Sequence, residues 1–593
     1  MPVGNKFIAM SNKHYTDERA VQIVLALLKE NGIRKVVASP GTTNITFVGS
    51  IQQDPWFEVY SSVDERSAAY IACGLAEESG EPVVLTCTGA TASRNYYSGL
   101  TEAYYRKLPV LAITSHQGVD RIGHLIAQNI DRRQVANDIV NLSVEIPFVT
   151  NAREEFLATI EANKAIRELR RNGGGPVHIN LYTHYSTNFT VEQLPAARNI
   201  VRYEYNSKLP SIPEGRVVIV VGSHKKFTSD EVQAIDKFCA TYDAIVLCDH
   251  SSGYYGRYRA QMALPFCQSS ALFNSSVRSC TLCIHIGEVS GDYTMGVSCK
   301  EVWRVSPDGE MRDKYEKMSA VFQMYEVDFF SHYAQDGAEN HDLIDCANKE
   351  YDLLYNAMPE LPFGNIWVAK QTSAKLPSPA VLHLGILNSL RSWNMFKLPA
   401  GVETASNVGG FGIDGGLSSL IGASLANKNK LYFGAFGDLA FFYDMNSLGN
   451  RHVGNNLRIL LVNNGCGTEF KLRTHPCHAF GEEANAYMAA AGHYGNKSKD
   501  LVRHYAEDLG FKYLTASNKE EFNAVIDEFV KPDITQSMIF EVFTDYTIED
   551  EAYHQVRNIV TDNKAALKKS LKELAEKVLG KGGLGKIRKI LPV

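Results

Sequence analysis

Short apolar runs alternate with longer amphipathic stretches along the first third of the chain. Thr16 is placed to cap a helix in which Val21, Val24, Leu25 and Leu28 recur at helical spacing, with Asn31-Gly32 as its end. The run RKVVAS at 34–39 reads as a buried strand, and Pro40-Gly41-Thr42-Thr43-Asn44 turns into another helix. A strand over 57–63 leads to Asp64-Glu65-Arg66 and a small-residue helix over 67–77. A strand over 82–87 opens onto Thr88-Gly89-Ala90-Thr91, and the next helix contains Asn95, Tyr96 and Tyr97. A strand over 110–114 ends at Ser115-His116-Gln117. Strands and helices alternating at this spacing predict a doubly wound parallel sheet.

The pattern recurs twice. Spaced prolines near 190–210 read as a linker, followed by strands over 216–221, 244–249 and 282–287, with 303–306 as a weaker candidate. A second proline-marked linker is expected at 357–380, then a third α/β unit closing with a strand near 537–543. The predicted organisation is therefore domains over 1–190, 210–356 and 380–545, with a basic extension over 546–593. In that extension Leu567, Leu571, Leu574 and Val578 form a helical stripe. Residues 564–589 carry nine Lys/Arg against two Glu, which reads as a helix packed on its own subunit with a solvated basic face. Attachment of this tail to a membrane or a partner is the lesser alternative.

The third unit carries the most specific chemistry. GAFGDLAFFYDMNSLGNRHVGNNLRILLVNNGCG at 434–467 holds a Gly-rich apolar run ending in Gly437-Asp438, a helix over 441–448 and a strand over 457–462 ending in Asn463-Asn464-Gly465. An Asp after one parallel strand and an Asn after the next meet where open α/β sheets bind ligands. Carboxylate, amide and backbone carbonyl oxygens are hard ligands suited to Mg²⁺, which fills its shell with phosphate oxygens. Two ordinary strand-to-helix turns are the plainer alternative for this pair alone.

Composition adds bounds. A chain of 593 residues with net charge −6, 45% hydrophobic and 21% charged is an ordinary globular composition. It gives no support for nucleic-acid binding. Apolar runs are too short to span a bilayer, and the N-terminus lacks a signal-peptide core. Cysteines sit in apolar strand-like runs, so a reduced, cytoplasmic protein is expected. Cys280 and Cys283 read as core positions of one strand rather than a zinc or redox pair.

Taken together, SPGTTN at 39–44, DERSAAYIACGLAEESGEPVVLTCTGATA at 64–92, KLPVLAITS at 107–115 and the 434–467 stretch resemble the thiamine diphosphate (ThDP) enzymes. Glu65 falls where that family places its activating glutamate, which hydrogen-bonds the cofactor aminopyrimidine and favours its imino tautomer. The resemblance implies a metal held by Asp438, Asn464 and the carbonyl of Cys466. It implies cofactor contacts from Thr42, Gly89, Asn95, Asn407, Gly412, Ile413, Gly437, Leu439 and Thr468, with Ile413 as the wedge that bends the cofactor. It further implies a homodimer or homotetramer in which Glu65 of one subunit faces the diphosphate site of another. The central domain lacks GxGxxG, so its expected role is structural.

Within the family the chain is most similar to the menaquinone-pathway synthase branch, which adds the carbanion from 2-oxoglutarate to isochorismate. LPAG at 398–401, SNVG at 406–409, GIDG at 412–415 and YDMNSL at 443–448 carry that likeness, with Gln128 and Ile130. The departures lie on the substrate side. Thr43 and Val408 stand where the branch has arginines, and His116-Gln117 replaces Asp-Arg. Arg391 and Arg121 are the cations left to compensate. The expected pocket is neutral and hydrogen-bonding, lined by Thr42, Thr43, Asn44, His116, Gln117 and Gln128. His116, Gln128 and Glu469 are further catalytic candidates, and His475 and His478 are candidates for a lid. The expected function is ThDP- and Mg²⁺-dependent decarboxylation of a 2-oxo acid, with carboligation of the carbanion to a carbonyl or enone acceptor as an optional second step. The alternatives are the synthase reaction itself or a non-catalytic scaffold or sensor.

Overall fold

Strand positions in the first unit alternate between two covered faces, as the pleat requires. The computed structural model describes residues 14–270, 273–292, 295–492 and 497–562. The chain forms two compact units, the first running to Asn206 with Gly309–Val321 added, the second comprising Ser207–Asp308 and the chain from Phe322 onward.

In the first unit, parallel strands lie in the order Glu58–Ser61, Lys35–Ala38, Val83–Cys87, Val110–His116, Val177–Tyr182, Leu142–Ile146. Val36, Val84, Leu111 and Ile179 face one core, against helix Arg19–Glu30. Val37, Leu85 and Ala112 face the other, against Ala68, Ala69 and Ala72 of helix Glu65–Ser79. Burial on both faces explains why these strands read as continuous apolar runs. Helix Glu65–Ser79 begins at Asp64, whose side chain accepts from the Ser67 N–H at 3.0 Å, and stops at Gly80 with φ 66°. Its small residues let helix Tyr97–Arg106 approach so closely that a Cβ at Gly99 would lie 2.4 Å from Ala69 Cβ.

The second unit carries two further sheets. In one, the strands include Arg259–Ala260, Ile245–Cys248, Val217–Val221, Ser279–Ile286 and Ser298–Val305, in that spatial order. The other has the order Val402–Ser406, Ala380–Leu384, Leu431–Gly437, Leu457–Asn463, Met538–Phe543, Lys512–Ala516, parallel throughout. Three doubly wound parallel sheets are thus present, as the alternation predicts. Cys280 and Cys283 are both buried core positions of strand Ser279–Ile286.

Four local expectations are corrected. The stretch 357–380 is not a linker: helix Asn365–Ser373 lies inside it, and Ile366, Trp367 and Val368 are core residues. Its prolines bracket this helix rather than dissolve it, and Glu549 caps it by accepting from the Asn365 N–H at 2.9 Å. The linker expected at 190–210 contains strand Val201–Glu204. The helix expected around Asn95–Tyr97 breaks at Tyr96 into Ala90–Asn95 and Tyr97–Arg106. The helix placed at 441–448 starts earlier, as Asp438–Asp444, and continues as a 3₁₀ turn over Met445–Gly449. Beyond 545, helix Tyr546–Arg557 docks on the third-sheet core through Val556, with Tyr553 packed against it. The predicted stripe at 567–578 lies outside the described residues. Among the described residues no helix is long and apolar enough to cross a membrane.

Candidate active site

Strands Leu431–Gly437 and Leu457–Asn463 run side by side and parallel, with Gly437 opposite Val462. That register brings Asp438 and Asn463-Asn464-Gly465 together at their carboxyl ends. Asp438 is buried; one carboxylate oxygen accepts from the Leu439 N–H at 2.8 Å and the other from the Gly465 N–H at 2.7 Å. Burial pushes its carboxyl up to about 6 despite those donors, and Glu541 adds to the rise. The two asparagines separate in role. Asn463 points into the interior and donates to Glu541 at 2.7 Å, whereas the Asn464 amide oxygen accepts from the Cys466 N–H at 3.3 Å. Buried Cys466 offers its carbonyl, which accepts from the Thr468 hydroxyl at 3.4 Å.

Buried Glu549 adds a carboxyl near this corner, pushed up to about 7 by burial, with the Asp438 charge contributing. Asp438, Glu541 and Glu549 thus concentrate negative charge, and among the described residues no cationic side chain pairs with Asp438. Among the described residues there is also no cluster of three or more His, Cys, Asp and Glu side chains that could hold a metal unaided. One carboxylate, one amide oxygen and one carbonyl fit a hard divalent cation completed by diphosphate oxygens.

Two loops flank this corner. Asn407 donates to the Gly415 carbonyl at 3.1 Å and to Ser419 Oγ at 2.9 Å, closing the turn that carries Gly412 and Ile413. Gly412 is exposed; Ile413 is half-buried and packs against the third-sheet core. Val408 is only 1% exposed and belongs to that core. Gly437 and Leu439 flank Asp438 half-buried, and Thr468 is buried. Glu469 forms a bidentate ion pair with Arg391, at 2.7 and 2.8 Å. His475 accepts from the Cys477 N–H at 3.1 Å, starting the turn Pro476–Glu483, and exposed His478 meets the Lys471 carbonyl at 2.9 Å.

In the first unit Glu65 is half-buried at the start of its helix, and Thr42, Asn95 and Gln128 are exposed. Buried Asn44 donates to the Ser39 carbonyl at 3.0 Å. Thr43 is 6% exposed, with a hydroxyl that has no partner among the described residues. His116 is the last residue of its strand; it stacks on Tyr182 and accepts from the Gly118 N–H at 2.8 Å. Burial, and then the nearby Arg132 guanidinium, pull its imidazole down to about 4. Gln128 has φ 66°, and its carbonyl lies 3.3 Å from where a Cβ on buried Gly89 would sit.

Arg132 is the residue that sequence reasoning missed. It is 3% exposed, donates to the Ser115 carbonyl at 2.7 Å, and its guanidinium carbon lies 3.6 Å from the Cβ position of Gly89. The stretch expected to be neutral therefore has a buried cation behind it. The run Asp131-Arg132-Arg133 holds the only available signal, and it does not tell which arginine turns inward; Arg133 pairs instead with Asp131 at 2.6 Å.

The sheets and the metal-competent corner define a ThDP-dependent enzyme. The family model "Thiamine pyrophosphate enzyme, N-terminal TPP binding domain" matches residues 18–136. The chain is 30% identical to the 2-succinyl-5-enolpyruvyl-6-hydroxy-3-cyclohexene-1-carboxylate synthase of Phocaeicola vulgatus, over 92% of this chain and 99% of that one. It is also 30% identical to the synthase of the same name from Bacteroides thetaiotaomicron, over 92% and 100%. For the Bacteroides fragilis protein the identity is 29% over the same shares. The chain belongs to the family of these synthases, and its cofactors are ThDP and Mg²⁺.

Proposed function

We propose that the protein decarboxylates a small monocarboxylic 2-oxo acid such as pyruvate and passes the resulting carbanion to a neutral carbonyl or enone acceptor. Buried, cation-free Asp438 beside Asn464 and the Cys466 carbonyl carries this assignment. These three would hold Mg²⁺ against the cofactor diphosphate, with Gly437, Leu439, Asn407, Gly412, Ile413 and Thr468 around the rest of the cofactor. Bound ThDP supplies the carbon nucleophile and the electron sink. Glu65 holds and moves the proton that switches the aminopyrimidine tautomer, with Thr42, Gly89 and Asn95 on the same side. His116, neutral at pH 7, and Gln128 orient the substrate by hydrogen bonding.

The active assembly is a homodimer or a multiple of one. Val63, Tyr70 and Ile71 are 79%, 48% and 48% exposed around the start of the Glu65 helix. Such an apolar face suits a second copy, whose diphosphate corner would then meet Glu65.

The relatives' synthase reaction is the second reading, favoured by the full-length similarity. Thr43 and Val408, uncharged and buried, stand against it. The test supplies the holoenzyme with a panel of 2-oxo acids and measures CO₂ release. Turnover of pyruvate or a similar monocarboxylic acid is expected; release from 2-oxoglutarate alone would replace this assignment with the synthase reaction.

A further inference from the structure

We infer that Glu469 is a built-in carboxylate that occupies the guanidinium of Arg391 and so excludes substrates bearing a second carboxylate; this rests on the decarboxylase assignment above. Arg391 lies on helix Asn388–Asn394, which follows strand Ala380–Leu384; Glu469 lies in the turn Thr468–Lys471, which follows strand Leu457–Asn463. Both therefore stand at the carboxyl edge of the third sheet, and Glu469 is three residues beyond Cys466.

The two side chains are 14% and 16% exposed, and both guanidinium end nitrogens are used, Nη1 on one carboxylate oxygen and Nη2 on the other. Tyr553 covers the guanidinium at 5.5 Å. A planar, bidentate, half-enclosed slot of this kind is how arginine recognises a carboxylate ligand. Here the chain supplies that carboxylate itself. A dicarboxylic 2-oxo acid entering this edge meets a neutralised arginine and the Glu469 charge, so it gains no ion pair and is repelled. A monocarboxylic or neutral molecule loses nothing.

The experiment compares wild type, Glu469→Gln and the double variant Glu469→Gln/Arg391→Gln, each loaded with ThDP and Mg²⁺. Calorimetry measures 2-oxoglutarate binding, and CO₂ release is followed with pyruvate and with 2-oxoglutarate. Glu469→Gln removes the charge with little change of shape. It is expected to tighten 2-oxoglutarate binding roughly ten- to a hundred-fold, and to move kcat/KM toward that acid by a similar factor. The double variant is expected to lose the gain. Equal 2-oxoglutarate affinity in wild type and Glu469→Gln overturns the inference, as does a gain that survives the loss of Arg391. The binding arm does not depend on turnover. A wild type that decarboxylates no monocarboxylic acid therefore counts against the assigned reaction, while the affinities still decide the role of Glu469.

Discussion

The Asn463 amide donates to Glu541 at 2.7 Å, so of two adjacent asparagines one is consumed by the interior and one is left for the site. Glu541 also accepts from the Tyr513 hydroxyl at 2.8 Å. Asn463→Ala leaves a buried carboxyl short of a donor and is expected to cost about 2–3 kcal/mol of stability, read by denaturant unfolding. Asn464→Ala also removes a hydrogen bond from the buried Glu549 carboxyl and so costs some stability, but unlike Asn463→Ala it is expected to abolish Mg²⁺-dependent ThDP binding by calorimetry. The reverse pattern would exchange the two roles.

Glu65 begins its helix, but the helix is already capped by Asp64, which accepts from the Ser67 N–H. A carboxylate next to a satisfied cap adds little to stability, about 0.3–1 kcal/mol through the helix dipole. Glu65→Gln is therefore expected to fold and bind cofactor normally while losing most exchange of the cofactor C2 proton, followed by NMR. Unchanged exchange would leave Glu65 as a surface residue of the helix start.

The strand-end placement of Asp438 and Asn464 and the helix-start placement of Glu65 were legible because each sits in a short, contiguous signature. The alternating strands were legible for a related reason: sheets buried on both faces are written as apolar runs. What lay hidden depends on contacts far apart in sequence. Arg391 and Glu469 are 78 residues apart, and neither segment foretells the other. Glu549 caps helix Asn365–Ser373 from 184 residues away, which is why a proline-bracketed stretch read as linker. Arg132 is buried by backbone carbonyl contact, and an arginine beside an aspartate in sequence gives no hint of that.

Tyr70 and Ile71 present about half their surface to solvent on the helix that begins with Glu65, and Gly74 on the same helix has open space around it. If a second copy covers this face, Ile71→Asp places a charge in the contact. Light scattering should then show wild type as a dimer or larger and the variant shifted to monomer. Circular dichroism should be unchanged and turnover lost. A monomeric wild type with full activity would remove the two-copy site.

His178 is buried with its ring nitrogens 2.8 Å from Thr114 Oγ1 and 2.9 Å from Ser143 Oγ. Burial, then Arg132, pull its imidazole down to about 3. The unfolded chain takes up this proton near pH 6.5 and the folded chain does not, so stability is fully present above that pH and declines as pH falls toward the folded value. The loss by pH 4 is on the order of 3 kcal/mol. His116, His250 and His383, each pulled down to about 4 by burial, add to this slope, so unfolding measured from pH 7 to 4 should be steep and His178→Gln should reduce the slope by its own share. An equally steep slope in the variant would assign the acid sensitivity to other groups.

Isochorismate and 2-oxoglutarate each carry two carboxylates, so joining them calls for fixed cations that are free to bind. Thr43 and Val408 supply none, and Val408 is 1% exposed within the third-sheet core. Arg391 is held by Glu469. Arg132 donates one nitrogen to the Ser115 carbonyl; its Nε and Nη1 have no partner among the described residues, but at 3% exposure the guanidinium sits beneath the strand end rather than in the open cleft. Arg121 bonds Gln117 at 3.2 Å on an exposed turn. Each missing charge-assisted bond is worth about 1.5–3 kcal/mol, so losing two lowers kcat/KM by two orders of magnitude or more. With ThDP and Mg²⁺ present, 2-oxoglutarate plus isochorismate should yield only traces of the succinylated product by mass spectrometry, while pyruvate releases CO₂ under the same conditions. Product formation at the rate of the best monocarboxylic donor would mean that cations brought by a second subunit do the work that Thr43 and Val408 cannot.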